Sequence, residues 1–102
     1  MILEVVEIRT KPGSEDVFAE GMKAALPLFQ AAPGFHGIDV MRAKEKPQTF
    51  FCLVKWDSVE AHTEQFQKSP AYETLFGLIG EAIDGGVAAL HCDYVASAAV
   101  MS

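Results

Sequence analysis

The chain has no asparagine and only two arginines, Arg9 and Arg42. Eight basic residues stand against fourteen acidic ones, a formal charge of −6, and no basic run occurs. A surface that neutralises phosphates needs clustered Lys and Arg, so a nucleic-acid partner is disfavoured. No apolar run approaches the length of a bilayer span, and "MILEVVEIRT" lacks the charged-then-apolar pattern of a signal peptide. The expectation is a soluble, cytoplasmic protein without membrane contact. Cysteine occurs twice, at Cys52 and Cys92, with no CxxC and no HExxH, so no metal site is supported. GxGxxG and GxxxxGK[ST] are missing too, which leaves dinucleotide and NTP binding without a motif. No cofactor is expected.

What is present is a core. Half of the 102 residues are hydrophobic and 22% are charged, proportions that suit one folded domain. "ILEVVEIR" (2–9) reads as a strand closed by "KPG". A helix follows, with Ser14 as N-cap, Glu15 and Asp16 in the first turn, and Phe18, Met22, Ala25, Leu26 and Phe29 at helical spacing. Pro27 should disturb its last turns, and Pro33-Gly34 ends it. "FHGIDVMRA" and "TFFCLVKW" are two strands joined by the polar loop "KEKPQ". Asp57 or Ser58 caps a second helix, which restarts at Ser69-Pro70. There Tyr72, Leu75, Phe76, Ile79 and Ile83 form an apolar stripe before Gly85-Gly86. "VAALHCDYV" (87–95) is the last strand.

The order β-α-β-β-α-β is the ferredoxin-like α+β arrangement, a four-stranded antiparallel sheet with spatial order 4-1-3-2 expected. The domain is placed at residues 1–95, with 96–102 a tail that frays or packs on a partner. In strand 3, Phe50, Cys52, Val54 and Trp56 face one side while Phe51 and Leu53 face the other. Helices cover one face only, so a second copy is expected on the other, making a homodimer. Strand 1 should separate Cys52 from Cys92, beyond disulfide reach, and both read as inert core residues.

"WDSVEAHTEQFQKSP" (56–70) carries the chemistry question. On an α-helix from Ser58, the positions Val59, His62, Thr63 and Phe66 share a buried face opposite Glu60, Glu64, Gln67 and Lys68. Trp56, His62, Phe66 and Tyr72 then line one cavity between helices and sheet. Equally, they are ordinary core and His62 a hydrogen-bonded packing residue. His91 falls mid-strand with Val87 and Ala89, and His36 at a strand start on the rim. Glu4 and Glu7 lie on opposite faces of strand 1, so one points inward and needs a partner.

"LVKWDSVEAHTEQFQKSPAYETL", with "APGFHGIDVMRA" and "LHCDYV", resembles the antibiotic biosynthesis monooxygenase family over about residues 2–95. The resemblance implies a dimeric α/β barrel. It also implies cofactor-independent oxygenation of a small phenolic, quinol or polyketide-like substrate, whose anion reacts directly with oxygen. His62 is then the proton-transfer residue, with Trp56, Phe66, Tyr72, His91 and Phe35 contacting a small hydrophobic or aromatic ligand. Haem degradation in this family relies on an asparagine in the first strand, and here Glu4 or Glu7 occupies that region. The Asn and Arg of the polyketide oxygenases are likewise unmatched. The alternative is a non-catalytic barrel that binds a small hydrophobic ligand or acts in stress response.

Overall fold

The computed structural model describes residues 1–99. Strand β1 (Ile2–Arg9) is followed by helix α1 (Glu15–Gln30), strands β2 (Phe35–Arg42) and β3 (Thr49–Trp56), helix α2 (Pro70–Ile79) and strand β4 (Ala88–Asp93). A π-helical segment, Ala61–Phe66, precedes α2, and a short 3₁₀ turn, Gly80–Ala82, follows it. The four strands pair antiparallel in the order β2-β3-β1-β4, with Glu4 opposite both Val54 and His91. This is the ferredoxin-like arrangement expected from the element order.

Period-two alternation divides the sheet. Glu4, Val6 and Ile8 of β1 and Phe50, Cys52, Val54 and Trp56 of β3 are buried on the face that the helices cover. Phe18, Met22, Ala25 and Phe29 of α1 and Leu75 and Ile79 of α2 fill the space above them. The two helices approach closely at Gly21, where a Cβ would stand 2.6 Å from the Leu78 carbonyl oxygen. Only glycine lets the backbones meet there. The opposite sheet face carries Leu3, Val5, Phe51, Leu53 and Met41, half-buried or exposed, with Leu90 of β4 69% exposed. No element of the described chain covers it.

Several local expectations change. Ser14 stands at the N-cap of α1 but its side chain makes no capping bond; the Glu15 carboxylate accepts the Gly13 N–H instead. As expected, α1 runs through Pro27 and ends, at Gln30, before Pro33-Gly34. The apolar stripe after Pro70 is shorter than expected, because the helix ends at Ile79, and Phe76 is 43% exposed. Strand β4 covers Ala88–Asp93 rather than 87–95, with Tyr94 and Val95 solvent-facing. Cys92 is not a core residue: it pairs with Leu3 on the uncovered face, whereas Cys52 is buried on the helix side. The two thiols therefore face opposite sides of the sheet. Of the tail 96–102, residues 100–102 lie outside the described residues, and 96–99 have no regular structure.

Candidate functional site

The site begins with a helix that is not an α-helix. The Ser58 hydroxyl accepts the Ala61 N–H at 3.2 Å and so caps the turn. The Gln67 N–H then reaches back five residues to the His62 carbonyl at 2.9 Å, the bond of a π-helix. Five residues advance an α-helix by about 500°, leaving the fifth about 140° away from the first. The wider π turn brings it back under the first residue. His62 and Phe66 are buried on the inward side, while Gln67 stays exposed as expected, its amide reaching back to His62 at the rim of a cavity. Val59, expected inside, is 36% exposed. Gly34, at φ +79°, sits beneath this segment; a Cβ there would lie 2.8 Å from that of Ala61.

Five side chains meet where the π segment passes over β1 and β3. The Trp56 indole N–H donates to Glu4 Oε1 at 2.9 Å. Glu4 Oε2 lies 3.2 Å from His62 Nε2, and the His62 Nδ1 lies 2.9 Å from Nε2 of His91 on β4. The Gln67 amide nitrogen lies 3.3 Å from His62 Nε2. The Trp56 and His62 rings stack at 5.6 Å with an interplanar angle of 22°. Glu4 and His62 are 6% and 4% exposed, whereas His91 is exposed on the edge strand. Glu4, His62 and His91 thus form a line from the core to the surface. Among the described residues no cluster of His, Cys, Asp and Glu converges as metal ligands would.

Burial governs the proton affinities. It holds the Glu4 carboxyl above the ordinary carboxylate range, partly offset by the Trp56 hydrogen bond and by His91. Burial, then the neighbouring His91, pushes His62 down to about 4, so its ring is neutral at pH 7. The Tyr72 hydroxyl is raised by burial and by Glu4, and the Cys52 thiol is pushed up to about 12 by the same two causes in the same order. A thiol in that condition is inert.

A cavity of about 220 Å³ opens beside this chain, between the sheet, the π segment and α2. Glu4, His62 and Gln67 form its polar end; Phe29, Phe66, Tyr72, Leu75 and other apolar groups form the rest. Among the residues singled out from the sequence, His62, Phe66 and Tyr72 line it. Trp56 is wholly buried one layer behind, and Phe35 lies edge-on to Trp56 at 5.8 Å, so neither forms the wall. His91 touches His62 rather than the cavity, which Ala89 of β4 and the preceding Val87 line. His36 pairs with Asp57 at the surface and takes no part. A second hollow of about 410 Å³ lies between α1 and β2. Its charged residues, Lys23, Asp39 and Arg42, are all exposed, so of the two hollows only the first gathers buried polar groups among the described residues.

Sequence reasoning left Glu4 and Glu7 equivalent and missed Gln67. Glu4 shares the parity of Val6 and Ile8, and Glu7 that of Leu3 and Val5, all apolar. No period distinguishes the two glutamates. Gln67 was missed because its contact with His62 depends on a π turn that an α-helical spacing cannot reveal.

The profile of the antibiotic biosynthesis monooxygenase family matches residues 1–77. An antibiotic biosynthesis monooxygenase family protein from Bordetella bronchiseptica is 33% identical, with a TM-score of 0.91 over 93% of this chain and 97% of that one. One from Nitrosomonas europaea shares the fold at 12% identity, with a TM-score of 0.81 over 94% of this chain and 100% of that one. The uncharacterised protein YczJ of Bacillus subtilis is 27% identical over 73 residues, which is 72% of this chain and 77% of its own length.

Proposed function

The chain belongs to the antibiotic biosynthesis monooxygenase family, and on that premise we propose that its cavity binds a small hydroxyaromatic compound and oxygenates it without a cofactor. One observation carries the reading: an otherwise apolar cavity ends in a buried acid–histidine pair whose proton affinities are both displaced by burial. Such displacement clusters at sites where protons move. The aromatic walls suit a ring, and the polar end suits its hydroxyl. Removing the hydroxyl proton leaves an electron-rich anion that gives its electrons to oxygen. For a phenol oxidised to a quinone, a ring C–H becomes C=O, the second oxygen atom leaves as water, and the substrate supplies all four electrons. The protein's part is a dry pocket and a proton acceptor near the Glu4–His62 pair.

Size narrows the substrate. A cavity of about 150 Å³ accommodates benzene, so about 220 Å³ suits one or two fused rings. That favours phenols and quinols over larger polyketide frames. The uncovered apolar sheet face supports a homodimer, each copy hiding the other's Leu53, Phe51 and Leu90. Among the described residues no helix is long and apolar enough to cross a membrane.

One observation favours the second reading, a barrel that binds a ligand without chemistry. Among the described residues every buried side-chain polar atom already has a protein partner. Oxygen uptake with a panel of one- to four-ring phenols and quinols, in wild type and His62→Ala, separates the two. Saturable uptake that falls in the variant supports the oxygenase. Ligand-dependent thermal stabilisation with no uptake supports the binder.

A further inference from the structure

We infer that Glu4, rather than His62, is the group that touches the substrate hydroxyl and takes its proton, with His62 and His91 as positioning residues. The inference rests on the cavity being the ligand site proposed above. Its basis is a count of free valences. A neutral imidazole offers one N–H and one lone pair. The two ring nitrogens of His62 already face protein groups, Nδ1 towards His91 Nε2 at 2.9 Å and Nε2 towards Glu4 Oε2 at 3.2 Å, with Gln67 a further 3.3 Å neighbour of Nε2. Stacking on Trp56 covers one face of the ring. No vacant proton site remains on His62 for a ligand.

A carboxylate is different. It has about four lone-pair sites, and the Glu4 group uses one on each oxygen, Oε1 for the Trp56 indole and Oε2 for His62. About two sites are left on a side chain that lines the cavity. The transfer is simple: the substrate O–H bond breaks, its electron pair stays on the substrate oxygen, and a new O–H bond forms on a Glu4 oxygen. Trp56 fixes one carboxylate oxygen and His62 the other, so the acceptor cannot swing away. His91, by holding Nδ1, fixes the orientation of His62. The titratable groups facing Glu4 are His62, His91, Tyr72 and Cys52, and Glu7 points to the opposite sheet face.

The arrangement is tested with 4-nitrophenol, whose phenolate absorbs visible light while the phenol does not, at a pH below its own ionisation. With wild type we expect a binding-dependent gain in phenolate absorption. In protein carrying ¹³C-labelled glutamate, one carboxyl should become protonated in the ligand-induced infrared difference spectrum. Glu4→Gln should bind the probe but lose the phenolate gain. His62→Gln and His91→Gln should keep it, with the pH midpoint of the gain displaced, which a merely structural role would not produce. A gain that survives in Glu4→Gln, or is lost in His62→Gln alone, overturns the assignment and leaves the cavity reading intact. If Glu4→Gln fails to fold, the infrared measurement on wild type decides, and no new carboxyl band overturns the assignment. No probe binding to wild type would remove the cavity reading and this assignment with it.

Discussion

Lowering the pH from 7 to 4 should destabilise this protein through His62. The ring is 4% exposed, and its proton affinity falls from 6.5 to about 4 in the folded chain. A group whose folded pKa lies below its unfolded value contributes stability that is complete above 6.5 and is lost as the pH falls towards 4. At about 1.4 kcal/mol per pH unit the loss is about 3 kcal/mol, against a total stability of about 5–15 kcal/mol for a domain of this size. Glu4 acts in the opposite sense. Its folded pKa is raised, so its contribution is complete below 4.5 and is lost as the pH rises through the folded value. The wild-type curve therefore shows only the difference, and the His62 part must be isolated by comparison with His62→Gln. The assay is urea unfolding followed by fluorescence of Trp56, the single tryptophan, at fixed protein concentration across the pH range. Between pH 7 and 4 wild type should lose about 3 kcal/mol relative to the variant. Parallel curves would refute the claim that burial holds this ring neutral.

Four further substitutions test the packing and the pairing of copies. Phe66 is 3% exposed and lies between Phe29 at 5.0 Å, Trp56 at 5.4 Å and Tyr72 at 5.8 Å. Phe66→Ala should cost about 3–5 kcal/mol in denaturant unfolding and enlarge the cavity, admitting ligands that wild type rejects. Gly21→Ala places a Cβ 2.6 Å from the Leu78 oxygen and should cost about 1–3 kcal/mol, whereas Gly77→Ala, with nothing within 4 Å, should stabilise by up to about 1 kcal/mol. Leu53→Glu, central on the uncovered sheet face, should give a monomer in sedimentation at a concentration where wild type is dimeric. Wild type that already sediments as a monomer would contradict the proposed pairing.

The sequence shows where elements lie far better than which way they turn. Strands β1 and β3 begin and end on the residues expected, because Lys-Pro-Gly and the polar loop before Thr49 leave their boundaries little freedom. Pro70 likewise opens α2 as expected, its missing N–H costing nothing at a first helical position. Orientation depends on contacts distant in sequence. Glu4 is buried and Glu7 exposed because the helices cover one side of a sheet that is apolar on both. The stretch from Trp56 to Pro70 holds the buried His62, but α-helical spacing hid the contact that the exposed Gln67 makes with it. The same stretch made Trp56 look like a cavity wall, when it is the donor that anchors Glu4 from behind.

The central claim is that the cavity is a ligand site whose polar end meets a hydroxyl. Its most direct test is a titration of uniformly ¹⁵N-labelled protein with 1-naphthol, followed through the histidine ring and glutamine side-chain resonances. His62, His91 and Gln67 should move together and saturate, while His36, held by Asp57 away from the cavity, stays still. Naphthalene, which lacks the hydroxyl, should move them less. Resonances of His62 and Gln67 that remain fixed at saturating 1-naphthol would contradict the account.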